Sequence, residues 1–342
     1  MKSLLLSAYR RLEIVDVPWP EVGLDEVLIR VETCGICGSD VHGYDGSSGR
    51  RIPPIVMGHE AAGTIAAKGA NARGFVEGDR VTFDSTVYCG NCIDCARGEV
   101  NLCSNRQVIG VSCGDYRRHG AFAEYVAVPQ HIVYSLPENI SFVQAAMLEA
   151  VSVALHAVRI SGTRRGETAL VIGAGMIGLL TLQAARAAGF QRVYVTDVDA
   201  TRLELARSVQ ADEVFPSIGM IERIHALTNG RGVDQVFEAV GRTETVTAAI
   251  KAVSKGGTVT LIGNIASEVN LPLQQVVTHQ IRLQGSCASA GEYPQAIELI
   301  ANGRIAVDPL ITAVAPLEEG PHWFERLHAR EPNLLKVILT PR

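Results

Sequence analysis

Cys89, Cys92, Cys95 and Cys103 stand in the pattern C-x-x-C-x-x-C-x7-C. Four thiolates in one short segment can close a tetrahedral shell around zinc with no open position, an arrangement that holds structure and does no chemistry. The same thiolates suit an iron–sulfur cluster. The segment carries Asn91, Asp94, Arg97 and Glu99, poor material for four reduced core cysteines, and Gly90 and Gly98 supply tight turns. A second constellation is dispersed. Gly35 to His42 offers the thiolate of Cys37, the hydroxyl of Ser39, the carboxylate of Asp40 and the imidazole of His42. Gly58-His59-Glu60 offers an imidazole and a carboxylate, and Glu149 sits in the apolar run Met147-Leu148-Glu149-Ala150-Val151-Ser152. A carboxylate in such a run needs a partner, because burying it alone is costly. Spacing alone does not assign these residues as ligands; taken singly, Cys37 or His59 is more often a core residue.

A third signal is local. Gly173-Ala174-Gly175-Met176-Ile177-Gly178 is a G-x-G-x-x-G that follows the apolar run Ala169 to Ile172 and opens an apolar helical stretch. In that context the glycines permit a tight turn, close approach of a pyrophosphate and close helix–strand packing, with phosphate oxygens meeting free N–H groups at the helix start. Asp197 lies nineteen positions after Gly178, at the end of Val193 to Thr196. A carboxylate there accepts from the adenosine ribose hydroxyls and repels a 2′-phosphate, which predicts NAD over NADP. Arg202, close by, is the residue that would instead accommodate a phosphate. Asp199 reads as the N-terminal residue of the following helix.

The elements that must position these groups change character along the chain. Up to about Pro137 the pattern is short strands punctuated by Gly and Pro: Val27 to Val31, Ala61 to Ala67, Asp79 to Phe83 and Ala121 to Val128. From near Ser141 strands and helices alternate, which signals βαβ units and a parallel sheet. The strands are Ala169 to Ile172, Val193 to Thr196, Val233 to Glu238 and Thr258 to Ile262; the helices are Gly178 to Ala188, Thr201 to Val209 and Thr243 to Val253. From about Gly291 one helix, Pro294 to Ile300, is followed by extended segments, and the final strand, Lys336 to Leu339, returns to the first domain. The 342 residues suit about two domains. A net charge of −5 with no Lys/Arg run argues against nucleic acid and a polybasic membrane patch. No stretch is apolar enough to span a bilayer, and Ser3 to Leu6 reads as a first strand rather than a signal peptide. The expectation is a cytoplasmic protein, in which clustered cysteines suggest metal more than disulfides.

Together, and in this order, the motifs resemble the zinc-containing medium-chain dehydrogenase/reductase family over essentially the whole chain. The run Glu149 to His156, and Thr196-Asp197 followed by Ala200-Thr201-Arg202-Leu203, resemble its polyol branch, typified by sorbitol and galactitol-1-phosphate dehydrogenases. The resemblance implies an α/β fold: a GroES-like β-rich catalytic domain (1–148, with a structural-zinc lobe at about 86–105), a Rossmann NAD-binding domain (149–289), and a return to the catalytic domain (290–342). It implies two zinc ions, with Cys37, His59, Glu60 and Glu149 around the catalytic one in the cleft between the domains and the four-cysteine lobe around the other. The implied reaction takes hydride from a secondary alcohol, a polyol, sugar alcohol or sugar-like molecule, to NAD. Ser39 aligns with the hydroxyl that takes the substrate proton, His42 with the residue that passes it to solvent, and Asp40 with the carboxylate that orients His59. Gly173, Gly175, Met176, Ile177, Gly178, Asp197 and Arg202 fall on the cofactor side. Family members commonly assemble as homodimers or homotetramers through sheet-edge strands, here near Val259 to Ile262 and Arg282 to Gln284.

Departures shape the substrate expectation. Where sorbitol dehydrogenases carry an aromatic-Arg-Tyr segment, this chain has Gly285-Ser286-Cys287-Ala288-Ser289. Tyr44, Arg50 and Arg51 lie in the loop after Ser39, where specificity is often set. Adjacent arginines suit a phosphate or carboxylate, and equally suit solvated loop charges, the favoured reading; Arg117, Arg118 and His119 are read with the same caution. A threonine 3-dehydrogenase-like activity is the alternative inside the class. A non-catalytic dinucleotide sensor is the rival outside it, and such a sensor needs none of Cys37, His59 and Glu149.

Overall fold

The computed structural model describes residues 1–114, 116–162 and 167–341. They form two compact units. The first comprises Met1–Glu149, Tyr293–Ala301 and Leu310–Arg342; the second comprises Ala150–Glu292 and Asn302–Pro309. The break falls beside Glu149, and residues 302–309 return to the second unit rather than the first.

The first unit is β-rich. Its seven-stranded sheet is organised around Glu26–Gly35, in which the β-branched Val27, Ile29 and Val31 alternate along the strand and are buried. This strand pairs antiparallel with Glu60–Lys68, placing Gly35 opposite Glu60, and with Val337–Thr340, placing Gly35 opposite Ile338. The register therefore brings residues near 35, 60 and 336 to one end of the sheet. Gly35 leaves room there for the Glu60 carboxylate, whose Oε2 would lie 2.4 Å from a Cβ at this position. The core below contains Leu4, Phe83, Phe122 and Phe324.

The second unit is a six-stranded parallel sheet. Numbered in chain order (Thr168–Ile172, Arg192–Asp197, Glu213–Pro216, Val233–Glu238, Val253–Leu261, Arg282–Gly285), the strands lie 3-2-1-4-5-6 across it. That order reverses direction beside the first strand, where doubly wound sheets bind dinucleotides. Leu170, Val236, Val246, Ile250 and Val259 form part of its core.

Several elements differ from the sequence expectation. Ser39 to Tyr44 is not loop: Gly38–Tyr44 is a helix capped at Cys37, stabilised by packing of Tyr44 against Phe324 at 5.8 Å rather than by its own two-glycine sequence. The strand expected at Ala121 to Val128 is confined to Tyr125–Pro129. Val253, expected in the helix, instead opens Val253–Leu261, where Gly256 turns the backbone at φ +75°. The sequence pattern does not point to the helices Leu148–Ile160 and Met220–Leu227, and Gly320–His328 is a helix where extended segments are expected.

Candidate functional site

At one end of the first unit's sheet, donor atoms of Cys37, His59 and Glu60 lie within 4.8 Å of one another. Cys37 caps the helix Gly38–Tyr44, and Asp40, one turn in, accepts from the Cys37 amide at 3.2 Å. Asp40 is fully buried, with Oδ1 3.3 Å from His59 Nδ1 and 3.2 Å from Arg51 Nη2. Burial works to raise its pKa, but His59, Arg51 and the Cys37 amide outweigh it and hold the group at about 2. Conversely, burial pushes His59 down, while Asp40 and Cys37 carry it well above the usual histidine range. With Asp40 on Nδ1, the remaining ring nitrogen, Nε2, faces the Ser39 hydroxyl at 3.5 Å. A carboxylate behind one imidazole nitrogen and an open donor in front is the arrangement metal-bound histidines use.

Glu60 is held by Lys336, whose Nζ donates to Oε2 at 2.5 Å and to the Ile36 carbonyl at 3.3 Å, both side chains buried. Burial lowers the Lys336 pKa, but Glu60 outweighs it and raises it. Lys336 was not singled out from the sequence; the available signal was a charge opening the apolar strand Lys336 to Leu339. Replacing it with methionine strands a buried carboxylate. Denaturant unfolding of Lys336→Met metal-free protein is expected to show a loss of about 3–5 kcal/mol; an unchanged midpoint would mean that Glu60 finds another partner.

Glu149, in the first turn of Leu148–Ile160, stands outside the three-residue group. Its carboxyl is pushed up to about 7, first by burial and further by Glu60 and Asp84, against His59 and Lys336. A folded-state pKa above the unfolded one means stability present below about pH 4.5 and lost as pH rises through 7. For the metal-free protein, unfolding free energy is expected to fall by on the order of 1–3 kcal/mol across that window relative to Glu149→Gln. Parallel pH profiles for the two proteins would contradict it.

Ser39 and Asp40 thus join the cluster, whereas His42 does not: it is exposed, and Nδ1 pairs with Ser47 Oγ at 3.2 Å. Arg51 corrects the reading as a solvated loop charge. It is 4% exposed and reaches both Ser39 Oγ (3.1 Å) and Asp40; Arg50 is exposed. Nothing local distinguishes the two arginines, since the difference lies in Asp40 waiting below one of them. Arg118 pairs with Glu26 at 2.8 Å, and His119 accepts from the Val56 amide at 3.2 Å. Tyr44 turns inward and donates to the Arg10 carbonyl at 3.2 Å.

The other donor set is local. Sulfur atoms of Cys89, Cys92, Cys95 and Cys103 also lie within 4.8 Å of one another, with Gly90 and Gly98 at φ +75° and +80° turning the chain around them. The amide of Cys95, then that of Ser104, hold the Cys92 thiol down at about 6. Four sulfurs converging on one point are a donor set that fits zinc.

In the second unit, Thr168–Ile172 runs into Gly173 at φ +96°, and Gly175 caps the helix Met176–Ala188. A Cβ on Gly178 would collide with the Gly173 carbonyl, so this glycine sets the close helix–strand approach. A Cβ on Gly175 would meet nothing within 4 Å, leaving open the space in front of Met176 and Ile177 at the helix start. Asp197 ends its strand and accepts from the amides of Ala174 (2.6 Å) and Asp199 (2.9 Å), which ties it to the glycine turn. Asp199 caps Ala200–Ser208 through the Thr201 amide at 2.8 Å, as expected, and Arg202 leans on that cap at 3.8 Å.

A β-rich unit carrying a Cys–His–Glu donor group, and a second unit built on a parallel sheet with a glycine-rich turn, together fit a metal-dependent dinucleotide enzyme. Residues 23–138 match the alcohol dehydrogenase GroES-like domain, and residues 177–302 match the zinc-binding dehydrogenase family. The chain is 34% identical over its whole length to sorbitol dehydrogenase of Bacillus subtilis (strain 168), covering 97% of that protein. Galactitol-1-phosphate dehydrogenase from Escherichia coli superimposes with a TM-score of 0.92 at 26% identity, with full coverage of both chains. A zinc-binding dehydrogenase from Sinorhizobium meliloti 1021, solved bound to NADP, superimposes at 0.90 with 32% identity and 99% coverage of each chain. The chain belongs to the zinc-type medium-chain alcohol dehydrogenases, a family of oxidoreductases that use a nicotinamide cofactor. No helix among the described residues is long and apolar enough to cross a membrane.

Proposed function

We propose that this enzyme oxidises a secondary alcohol of a polyol, sugar alcohol or sugar-like molecule to a ketone, with NAD as hydride acceptor and two zinc ions per chain. The observation that carries the proposal is the convergence of Cys37, His59 and Glu60 on one point, with Asp40 behind His59 and the Ser39 hydroxyl in front of it. A thiolate, an imidazole and a carboxylate leave a tetrahedral ion one open position, as catalytic zinc sites require. When bound, zinc supplies Lewis-acid polarisation of the alcohol oxygen; the nicotinamide supplies the hydride acceptor. Asp40 fixes the His59 ring. Ser39 takes the alcohol proton. His42, on the exposed face of the same helix, passes it to solvent. Glu149 stands outside these three donors, and its carboxylate would take the place of Glu60 on the ion. The four-cysteine lobe holds the second zinc and does no chemistry.

Asp197 supports NAD as the cofactor, since its carboxylate stands at the strand end beside the turn formed by Gly173, Gly175 and Gly178. The relatives that act on sorbitol and galactitol-1-phosphate support a polyol substrate. The enzyme is read as cytoplasmic and as a homodimer or homotetramer joined through the edge strand Arg282–Gly285. The test is NADH appearance, followed by absorbance, across polyols, their phosphates, aldonates, threonine and simple secondary alcohols. Turnover confined to polyols or their phosphates is the predicted result; turnover of threonine alone would replace this substrate class.

A further inference from the structure

We propose that Arg51 is a positioning residue that fixes the Ser39 hydroxyl for proton transfer; this rests on the reading of Ser39 as the group that takes the alcohol proton. Arg51 lies outside the helix that carries Ser39 and Asp40, yet a single nitrogen, Nη2, reaches Ser39 Oγ at 3.1 Å and Asp40 Oδ1 at 3.2 Å. The pair with Asp40 is buried on both sides, so the guanidinium cannot swing away without leaving a buried carboxylate short of a partner. The position is not one that satisfies the arginine for its own sake, because Nε is buried without a hydrogen-bond partner. Room for the side chain comes from Gly43. A Cβ there would collide with the Arg51 Cγ and stand 2.8 Å from its Cβ. Glycine inside a helix costs about 0.5–1 kcal/mol, and here it lets the arginine stem pass.

The chemistry follows from donor and acceptor counts. A guanidinium only donates, and a serine hydroxyl has one donor and two lone pairs. Arg51 occupies one lone pair of Ser39. The second lone pair is left for the alcohol O–H, and the serine proton must point to an acceptor other than Arg51. His59 Nε2, at 3.5 Å, is the neighbouring acceptor, and it is the nitrogen that the proposed metal would claim. The serine proton is thereby directed outward. In the step itself the alcohol proton moves to Ser39 Oγ while the serine's own proton leaves, by way of His42, to solvent. The nicotinamide, when bound, would accept the hydride of the carbinol C–H, and Arg51 keeps all its protons.

Three variants test this: Arg51→Met, which keeps the stem and removes the donors; Arg51→Lys; and Gly43→Ala, which displaces the stem without touching Ser39 or Asp40. Single-turnover hydride transfer in Arg51→Met is expected to slow about 10- to 100-fold, the worth of one charge-assisted hydrogen bond. KM, zinc affinity and NADH affinity are expected to stay within about threefold of wild type. Arg51→Lys recovers part of the rate, and Gly43→Ala loses part of it. In a Ser39→Ala background, Arg51→Met is expected to slow the reaction by less than about twofold, because the route through the hydroxyl is already gone. Equal losses in both backgrounds, or a fall in zinc affinity matching the fall in rate, would overturn the proposal and assign Arg51 to the Asp40–His59 pair alone. A wild-type enzyme that turns over no alcohol would overturn the reading of Ser39 itself, a failure separate from the additive one.

Discussion

Replacing Cys37 with serine is expected to lower kcat/KM for alcohol oxidation by about 10³-fold or more, about 4 kcal/mol of barrier, while leaving NADH binding within about twofold. The expectation comes from where the residue sits. Its sulfur is one of three donors within 4.8 Å, and it caps the helix that carries Ser39 and Asp40. Serine preserves the cap, because a hydroxyl accepts from the helix start as a thiolate does. It does not preserve a thiolate donor. Metal analysis should therefore show one zinc lost per chain, and titration with NADH should show a normal dissociation constant, since the glycine turn belongs to a different compact unit. Equal loss of turnover and of NADH binding would contradict this division of labour.

The second large effect concerns the cofactor. Asp197→Asn is expected to shift the ratio of kcat/KM for NAD over NADP by about 10- to 100-fold toward NADP, the range for losing one charged hydrogen bond and one repulsion of a 2′-phosphate. Asparagine keeps an oxygen for the Ala174 amide at 2.6 Å, so the turn should stay in place. Arg202 sharpens the test. In the free protein it leans on Asp199 at 3.8 Å, and with the Asp197 charge removed its guanidinium has the sign and the donors to meet a phosphate. A variant that loses both cofactors alike would show that Asp197 serves the turn rather than the ribose.

What the sequence discloses here depends on how local the geometry is. The glycine turn and the four-cysteine lobe are each built within one short segment, and the residues picked from spacing are the ones found together. The Cys37–His59–Glu60 group is not local. It is assembled by register, Gly35 lying opposite Glu60 and Ile338 across two strand pairs, and only the family resemblance points to it in advance. Arg51 and Lys336 are illegible for the same reason. Each is an ordinary charge in sequence, and each becomes a buried partner because a carboxylate arrives from elsewhere in the chain. The helix Gly38–Tyr44 is hidden by its two glycines, which speak for a loop until Tyr44 meets Phe324. Glu149 belongs with the metal donors by resemblance, yet it is not among the three donors that converge.

The most direct test of the whole account is zinc removal and return on wild-type enzyme, following NADH formation with the polyol or polyol phosphate that it turns over best. Stripping the metal at the Cys37 group should abolish turnover, and stoichiometric zinc should restore it while the four-cysteine lobe keeps its own ion throughout. Full turnover by protein shown to hold no metal at Cys37, His59 and Glu60 would contradict it.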